Sequence, residues 1–248
     1  MPLHIDEPHI RTILLDIEGT TTPVGFVYKT LFPYASRRVE FFLRQHFRDP
    51  ELRSLIAELR AQHQRDERDG TQPPSWHDEA EDAQLHSSVA YVNWLMGRDS
   101  KCTPLKTLQG KIWQYGYERV ELHGEVYPDV PPALTRWRKQ GREISIYSSG
   151  SVLAQQLLFR STAAGDLTEH ISKFFDTRVG AKSESESYRK IAVELGRSPQ
   201  EVLFISDARK EVEAAQGAGM PAILCLREGT VPDGTHQVIH DFDQVLPE

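Results

Sequence analysis

Six residues in four short stretches carry the chemistry that this 248-residue chain offers: Asp16 and Glu18, Ser148 and Ser149, Lys182, and Asp207. Asp16 and Glu18 close an apolar run within Thr-Ile-Leu-Leu-Asp-Ile-Glu-Gly-Thr-Thr-Thr, residues 12 to 22. In an extended backbone such a pair shares one face, so two carboxylates are expected side by side and would repel. A divalent cation between them removes the repulsion, and one carboxylate can then attack phosphorus to give an aspartyl-phosphate. Taken alone, the pair also reads as an acidic strand end facing water. Ser148-Ser149-Gly150-Ser151 opens a helical run, where hydroxyls and backbone N–H groups suit an anion such as phosphate. Ordinary capping by serine is the plain alternative. Lys182 stands near a helix start, where the macrodipole disfavours a cation; that position points to an anion within reach, with a surface lysine as the default. Asp207 is a third carboxylate delivered by an apolar run.

Hydrophobic patterning predicts the elements that position these groups. Ile13, Leu14 and Leu15 read as a strand covered on both faces, as in a parallel sheet, and the chain leaves at Asp16, the edge where ligands bind in open α/β sheets. Gly19 and Thr20 permit a tight exit. Glu143-Ile-Ser-Ile-Tyr is a second strand, with Ile144 and Ile146 on one face, and it terminates at Ser148. Glu201-Val-Leu-Phe-Ile-Ser is a third and delivers Asp207, while Pro221-Ala-Ile-Leu-Cys-Leu is a further buried strand with Cys225 in the core. Helices are expected over Ala133 to Gln140 after two prolines, over Val152 to Phe159, along a stripe of Tyr188, Ile191, Ala192 and Leu195 closed by Gly196, and from Ala208 to Gly219, with Glu211 one turn past Asp207. From Glu228 onward no chemistry is legible.

Between the first strand and the second the periodicity is helical throughout. A helix beginning near Lys29 carries Leu31, Ala35, Val39, Phe42 and Leu43; the next carries Leu52, Leu55, Ile56 and Leu59. Arg60 to Gly70 reads as a solvated face or loop, and Thr71-Gln-Pro-Pro-Ser as a break. Two further stripes follow, Leu85, Val89, Val92 and Met96, then Leu105, Leu108, Ile112 and Trp113. About ninety helical residues exceed a normal crossover, so residues 23 to 124 are predicted to be a helical insert able to cover the strand ends. His77, His86, Trp94 and Trp113 are expected to pack or face solvent within it. The expected fold is thus α/β, with a parallel-sheet core from residues 1 to 22 and 125 to 248 and an α-helical cap from 23 to 124.

The chain carries 29 Lys and Arg against 36 Asp and Glu, a formal charge of −7, which argues against nucleic acid or an anionic membrane surface as partner and for a small ligand. Cys102 and Cys225 form no CxxC and no Cys/His pair at ligand spacing, so neither a disulfide framework nor a zinc site is indicated. No stretch approaches the roughly 20 apolar residues of a membrane span, and the first eight residues lack the basic and apolar regions of a signal peptide. A cytoplasmic monomer is expected.

An acid-x-acid strand end, a serine strand end, a lysine and a final acidic strand end, in that order, make a joint pattern more specific than its parts. The chain resembles the haloacid dehalogenase-like superfamily of phosphatases, whose four motifs these are. Within it, Asp16-Ile-Glu-Gly-Thr-Thr-Thr-Pro, Leu105-Lys-Thr-Leu-Gln-Gly-Lys-Ile-Trp, Tyr147-Ser-Ser-Gly-Ser-Val and Glu184-Ser-Glu-Ser-Tyr-Arg-Lys-Ile-Ala are similar to the enolase-phosphatases of methionine salvage, over core and insert alike. The resemblance implies a Rossmann-like core and a magnesium-dependent, bifunctional enzyme, one Mg2+ per subunit. Its substrate would be 2,3-diketo-5-methylthiopentyl 1-phosphate, enolised and then dephosphorylated to the acireductone. Asp16, Glu18 and Asp207 would hold the metal, Glu18 through its main-chain oxygen; Ser148, Ser149 and Lys182 would bind phosphate; and Asp16, Glu18 and Lys182 would be catalytic. Most of the superfamily has aspartate where this chain has Glu18, which leaves the side chain's role open.

For enolisation a base must take the proton from the carbon bearing the phosphate ester, and both Glu18 and a side chain of the insert are candidates. Three other readings share parts of the pattern. A phosphatase of the same superfamily acting on another small metabolite would keep every core motif. A metal-free dehalogenase would not need Glu18 and Asp207 as acids. A phospho-accepting signalling module would also place an aspartate, a hydroxyl and a lysine at strand ends, without so large an insert. A catalytically dead scaffold is disfavoured because no motif position is lost.

Overall fold

The computed structural model describes residues 9 to 227 and 234 to 247 and divides into two compact units, Met1–Phe26 with His123–Glu248, and Val27–Leu122. The expectation about a signal peptide falls on residues 1 to 8, and the start of the C-terminal tail on residues 228 to 233; both lie outside the described residues.

The first unit is built on a six-stranded, wholly parallel sheet: β1 (Thr12–Leu15), β2 (Glu143–Tyr147), β3 (Lys173–Phe175), β4 (Val202–Ser206), β5 (Ala222–Cys225) and β6 (Val238–Ile239), in the order β3-β2-β1-β4-β5-β6. Its helices are α6 (Val130–Lys139), α7 (Val152–Arg160), α8 (Ser185–Leu195) and α9 (Arg209–Gly217). Every residue of β1, β4 and β5 is buried, as strands covered on both faces must be. One face carries Leu14, Tyr147, Phe204 and Leu224 into a core with Tyr188, Ile191 and Ala192 of α8 and Val212 and Ala215 of α9. On α6, Trp137 is fully buried against the Phe242 ring and donates its indole N–H to the Val245 carbonyl at 3.0 Å. The tail therefore closes a core even where it offers no chemistry.

Several boundaries differ from the patterning. The strand β3 was not expected: three residues are too short to show an alternation, and pairing to β2 supplies what local sequence does not. Helix α6 starts at Val130, with its prolines inside the first turn, where a missing N–H costs nothing. Gly196 ends α8 with φ +69°, as expected of a left-handed C-terminal glycine.

The second unit has only helices and the loops that join them among its described residues. The helical run begins at Val24, earlier than Lys29: α1 (Val24–Phe26), the last segment of the first unit before the chain leaves it, leads into a π-helical turn (Val27–Leu31) and α2 (Phe32–His46), and Trp113 donates its indole N–H to the Leu31 carbonyl at 2.9 Å. Helices α3 (Pro50–Arg68), α4 (Glu81–Gly97) and α5 (Thr103–Glu118) follow, with the stripes of α2, α3 and α5 buried as the spacing predicted. The polar tract after Leu59 is mostly helix, not loop, and it hides His63, fully buried with Nε2 2.7 Å from the Pro74 carbonyl. In α4 the buried face is Leu85, Ser88, Tyr91, Val92 and Leu95, while Val89 and Met96 are only half-buried. Ser88 can lie inside because its hydroxyl donates to the Gln84 carbonyl at 2.7 Å, a local bond that apolar periodicity does not register. His77 and His86 are exposed, and Trp94 stacks on Tyr91, as expected. No helix of the described residues is long and apolar enough to cross a membrane.

Candidate active site

β1 lies between β2 and β4, with Leu15 beside Ile146 and Ile205, so the next residue along, Asp16, falls between Tyr147 and Ser206 at the carboxyl edge of the sheet. Its backbone N–H donates to the Ile205 carbonyl at 3.0 Å, extending the ladder by one residue, and Asp16 is 4 % exposed. Side chains alternate along a strand, so Asp16 shares the face of Leu14, the face covered by α8 and α9. What those helices bring to the sheet edge is therefore what Asp16 meets.

The segment before α8 brings Lys182, and the first turn of α9 brings Glu211. Lys182 Nζ donates to Asp16 Oδ1 and lies 2.7 Å from Glu211 Oε2, and all three residues are largely buried. Burial alone would pull the ammonium pKa down; the Asp16 and Glu211 carboxylates more than offset it and hold the pKa up at about 12. Glu211 is shifted upward by burial and by the Asp16 charge, with Lys182 opposing. The lysine is thus a fixed cation, and the macrodipole penalty that its position suggested is answered by two acids. Its backbone is equally fixed: Tyr188 donates to the Lys182 carbonyl at 2.8 Å, Ser187 to that of Ala181 at 2.7 Å, and Tyr147 to that of Gly180 at 2.9 Å. Gly180 has φ +148°, and a Cβ there would overlap the Ser187 hydroxyl. Ser206 completes the group, accepting from the Ala208 N–H at 3.1 Å with its single proton between Asp16 Oδ2 at 3.2 Å and Glu211 Oε2 at 2.8 Å.

Past Asp16 the chain turns instead of running on extended. The N–H groups of Thr20, Thr21 and Thr22 converge on the Ile17 carbonyl at 3.2, 3.0 and 2.9 Å, and Gly19 donates to the Thr22 carbonyl at 2.8 Å. The pleat argument for Asp16 and Glu18 therefore does not hold beyond Ile17; Glu18 sits on a tight turn. Gly19 takes φ +71°, and a Cβ there would overlap the Asp207 carboxylate, so only glycine lets this turn lie against β4's end. Thr20 Oγ1 accepts the Asp207 N–H at 3.0 Å, fastening the same two segments. Burial pushes the Asp207 carboxyl up to about 7, with Asp16 and Glu211 adding to the shift, Lys182 opposing it and Glu18 adding a little more.

Among the described residues no three His, Cys, Asp or Glu side chains are grouped as a metal site. Asp16, Glu18 and Asp207 thus do not assemble as a side-chain triad. A donor set of two carboxylates and the Glu18 main-chain oxygen does not require one. Asp16 and Glu211 share one ammonium and Asp207 lies within reach of their charges, a surplus of two negative charges when all are ionised; burial is the first cause of the upward shift of Asp207, and the Asp16 and Glu211 charges add to it. Hard oxygen donors with excess negative charge fit a small divalent cation.

Ser148 follows β2 and is 4 % exposed; its N–H donates to the Phe175 carbonyl at 3.1 Å and its hydroxyl accepts the Gly150 N–H at 3.2 Å, which leaves the hydroxyl proton to donate. The helix cap itself is Ser151, accepting from the Ala154 N–H, so the capping role proposed for this serine cluster falls on Ser151 and not on Ser148. Ser149 is exposed. Gln155 braces the turn, donating to the Gly150 and Phe175 carbonyls at 2.8 and 2.9 Å.

Sequence reasoning did not assign Ser206, Glu211 or Gln155 to the site. Ser206 was findable: parallel register places it beside Asp16, on the same face. Glu211 stands one turn past Asp207, but its partner is set by how α8 and α9 pack, which periodicity does not fix.

Residues 10 to 219 match the model of the haloacid dehalogenase-like hydrolases. The chain is 48 % identical over 247 residues to enolase-phosphatase E1 of Synechococcus elongatus, covering 99 % of this chain and all of the relative, and 44 % identical over 239 residues to enolase-phosphatase E1 of Methylococcus capsulatus, covering 96 % and 99 %. Among solved structures it is similar to Unknown transcript 4 protein of Saccharomyces cerevisiae, at 34 % identity and a TM-score of 0.75, covering 94 % of this chain and 99 % of that one. With matching sequence over both units and a parallel sheet whose edge gathers an aspartate, a lysine and two further acids, the chain belongs to the haloacid dehalogenase-like hydrolases and, within them, to the enolase-phosphatase E1 family.

Proposed function

We propose that the protein is the enolase-phosphatase of methionine salvage, converting 2,3-diketo-5-methylthiopentyl 1-phosphate through the 2-hydroxy-3-keto enol phosphate to the acireductone 1,2-dihydroxy-3-keto-5-methylthiopentene and phosphate. The observation that carries this reading is similarity over the full chain, helical unit included, because the core motifs alone would serve any phosphatase of the superfamily. We read the helical insert, residues 23 to 124, as the cap, and the protein as a cytoplasmic monomer.

In this reading Asp16 is the nucleophile. Lys182, bonded to one of its oxygens and itself a fixed cation, offers positive charge to the transferring phosphoryl group. Ser148 and Ser149 bind the phosphate oxygens, the Ser148 hydroxyl donating. The bond from phosphorus to Asp16 forms as the bond to the substrate oxygen breaks, and water then cleaves the phospho-aspartate, returning Asp16 and releasing phosphate. Glu18 is the core-unit candidate for carrying protons, both to the leaving oxygen and from the carbon that bears the ester. Asp16, Asp207 and the Glu18 main-chain oxygen would hold Mg2+, which when bound supplies charge neutralisation for the phosphate and Lewis acidity for a substrate carbonyl. The test is an assay of the purified chain with the diketone phosphate and magnesium. Release of phosphate together with acireductone supports the reading, and no turnover of this substrate alongside hydrolysis of other small phosphate esters would replace it with a general phosphatase.

A further inference from the structure

β5 runs out into Leu226 and Arg227 at the carboxyl edge that also carries Asp16 and Asp207. The Arg227 side chain is 6 % exposed, and its guanidinium lies between the Tyr127 and Phe242 rings, 4.4 and 4.6 Å from their centroids. Two of its N–H groups, Nε and Nη2, donate together to one acceptor, the Thr20 carbonyl, at 2.9 and 2.8 Å. Nη1 pairs with Asp129 Oδ2 at 2.6 Å, and that carboxylate also accepts the Phe242 N–H at 2.7 Å. A buried cation held in this way is aimed at a carbonyl in the turn that follows the nucleophile, and so does more than close the C-terminal segment as an ion pair.

We infer that Arg227 is a positioning residue for the metal side of the site, acting through Thr20. Thr20 is fastened on its other side as well, its hydroxyl accepting the Asp207 N–H at 3.0 Å, and the neighbouring Thr21 carbonyl accepts the Tyr127 N–H at 3.0 Å. The turn from Ile17 to Thr22 has its crown held by the Asp207 N–H and by Arg227, so the Gly19 backbone, which lies close to the Asp207 carboxylate, is fixed, and with it the adjoining Glu18 peptide. A planar fork between two rings delivers both bonds to one oxygen; an ammonium in its place offers a point charge without that geometry. The inference rests on the magnesium site of the proposed function.

The test is calorimetric titration of the full chain with Mg2+, comparing the unaltered protein with Arg227→Lys and Arg227→Met. Arg227→Lys keeps a cation beside Asp129 and loses the fork on Thr20. Magnesium affinity is expected to fall roughly tenfold or more in Arg227→Lys and further in Arg227→Met, as for residues that orient ligands from behind. At saturating magnesium the KM for the phosphate ester should be unchanged. In the double variant Arg227→Met with Thr20→Val the two losses should not add, because both act on one turn. An affinity within about twofold of the unaltered chain in Arg227→Lys, whatever the change in melting temperature, overturns the inference. If Arg227→Met does not fold, Arg227→Lys decides alone. No magnesium binding by the unaltered chain overturns this inference together with the metal site it rests on, whereas binding that ignores Arg227 overturns only the inference.

Discussion

Lys182 Nζ and Glu211 Oε2 lie 2.7 Å apart and tie the segment before α8 to the first turn of α9, so the cation that serves Asp16 is held from a second element. Replacing Lys182 by Met removes a preorganised charge from a site of developing charge and should lower kcat by about a hundredfold or more, on the order of 3 kcal/mol. Glu211→Gln leaves the lysine in place with a weaker partner and should lower kcat by less. Steady-state kinetics on both variants checks this; wild-type turnover in Lys182→Met would return that residue to a structural ion pair.

Asp16→Asn should abolish phosphate release, because the amide keeps the shape of the carboxylate and is a poor nucleophile. The buried ammonium keeps Glu211 as its partner, so the variant is expected to fold. Phosphate release and circular dichroism measure the two halves separately. Turnover retained in Asp16→Asn would refute the nucleophile.

The Asp207 shift gives a pH dependence of unusual sign. Its carboxyl is held at about 7, against an ordinary 3.8, first by burial and then by Asp16 and Glu211. Between those two values the folded chain free of metal keeps a proton that the unfolded chain has lost, so this group's contribution to stability falls as pH rises through the window and is fully lost above it. With Asp207 as its ligand, magnesium would bind the ionised form and should cancel the loss. Melting temperatures across that window, in chelator and in magnesium, should therefore diverge as pH rises, and Asp207→Asn should remove the divergence. Curves that stay parallel would exclude Asp207 as a metal ligand.

Local sequence carried much of this site, and the reasons it stopped are physical. Asp16, Ser148 and Asp207 were legible because each ends a buried apolar strand, and a parallel sheet brings such ends to one edge. The partners of Lys182 were not, because they depend on the packing of α8 against α9. The strand β3 escaped because three residues show no period. In α4 a buried Ser88 displaced the apparent stripe, since a hydroxyl bonded within its own helix packs as though it were apolar. Arg227 escaped for a simpler reason: it follows an apolar run at the same edge as the acids, but a lone arginine at a strand end carries no motif.

Gly19→Ala tests the turn itself. A side chain at φ +71° costs about 1 kcal/mol or more before any overlap, and here the methyl would also displace the Asp207 carboxylate. Magnesium affinity and kcat should fall together while the helical unit, as a separate compact body, keeps its circular dichroism. A variant that binds magnesium like the unaltered chain would show that Gly19 serves the turn alone.

What separates an enolase-phosphatase from a phosphatase of the same fold is a carbon–hydrogen bond. Proton removal beside the ester needs an activated carbonyl, not a departing phosphate, so enolisation should come first. Following the diketone phosphate by phosphorus and proton NMR in deuterated water, with the unaltered chain and with Asp16→Asn, gives the answer. An enol phosphate should appear transiently with the unaltered chain and accumulate with Asp16→Asn if that variant still binds magnesium. Phosphate released alongside the unenolised diketone alcohol, with no enol phosphate at any time, would contradict the proposed function and leave a phosphatase.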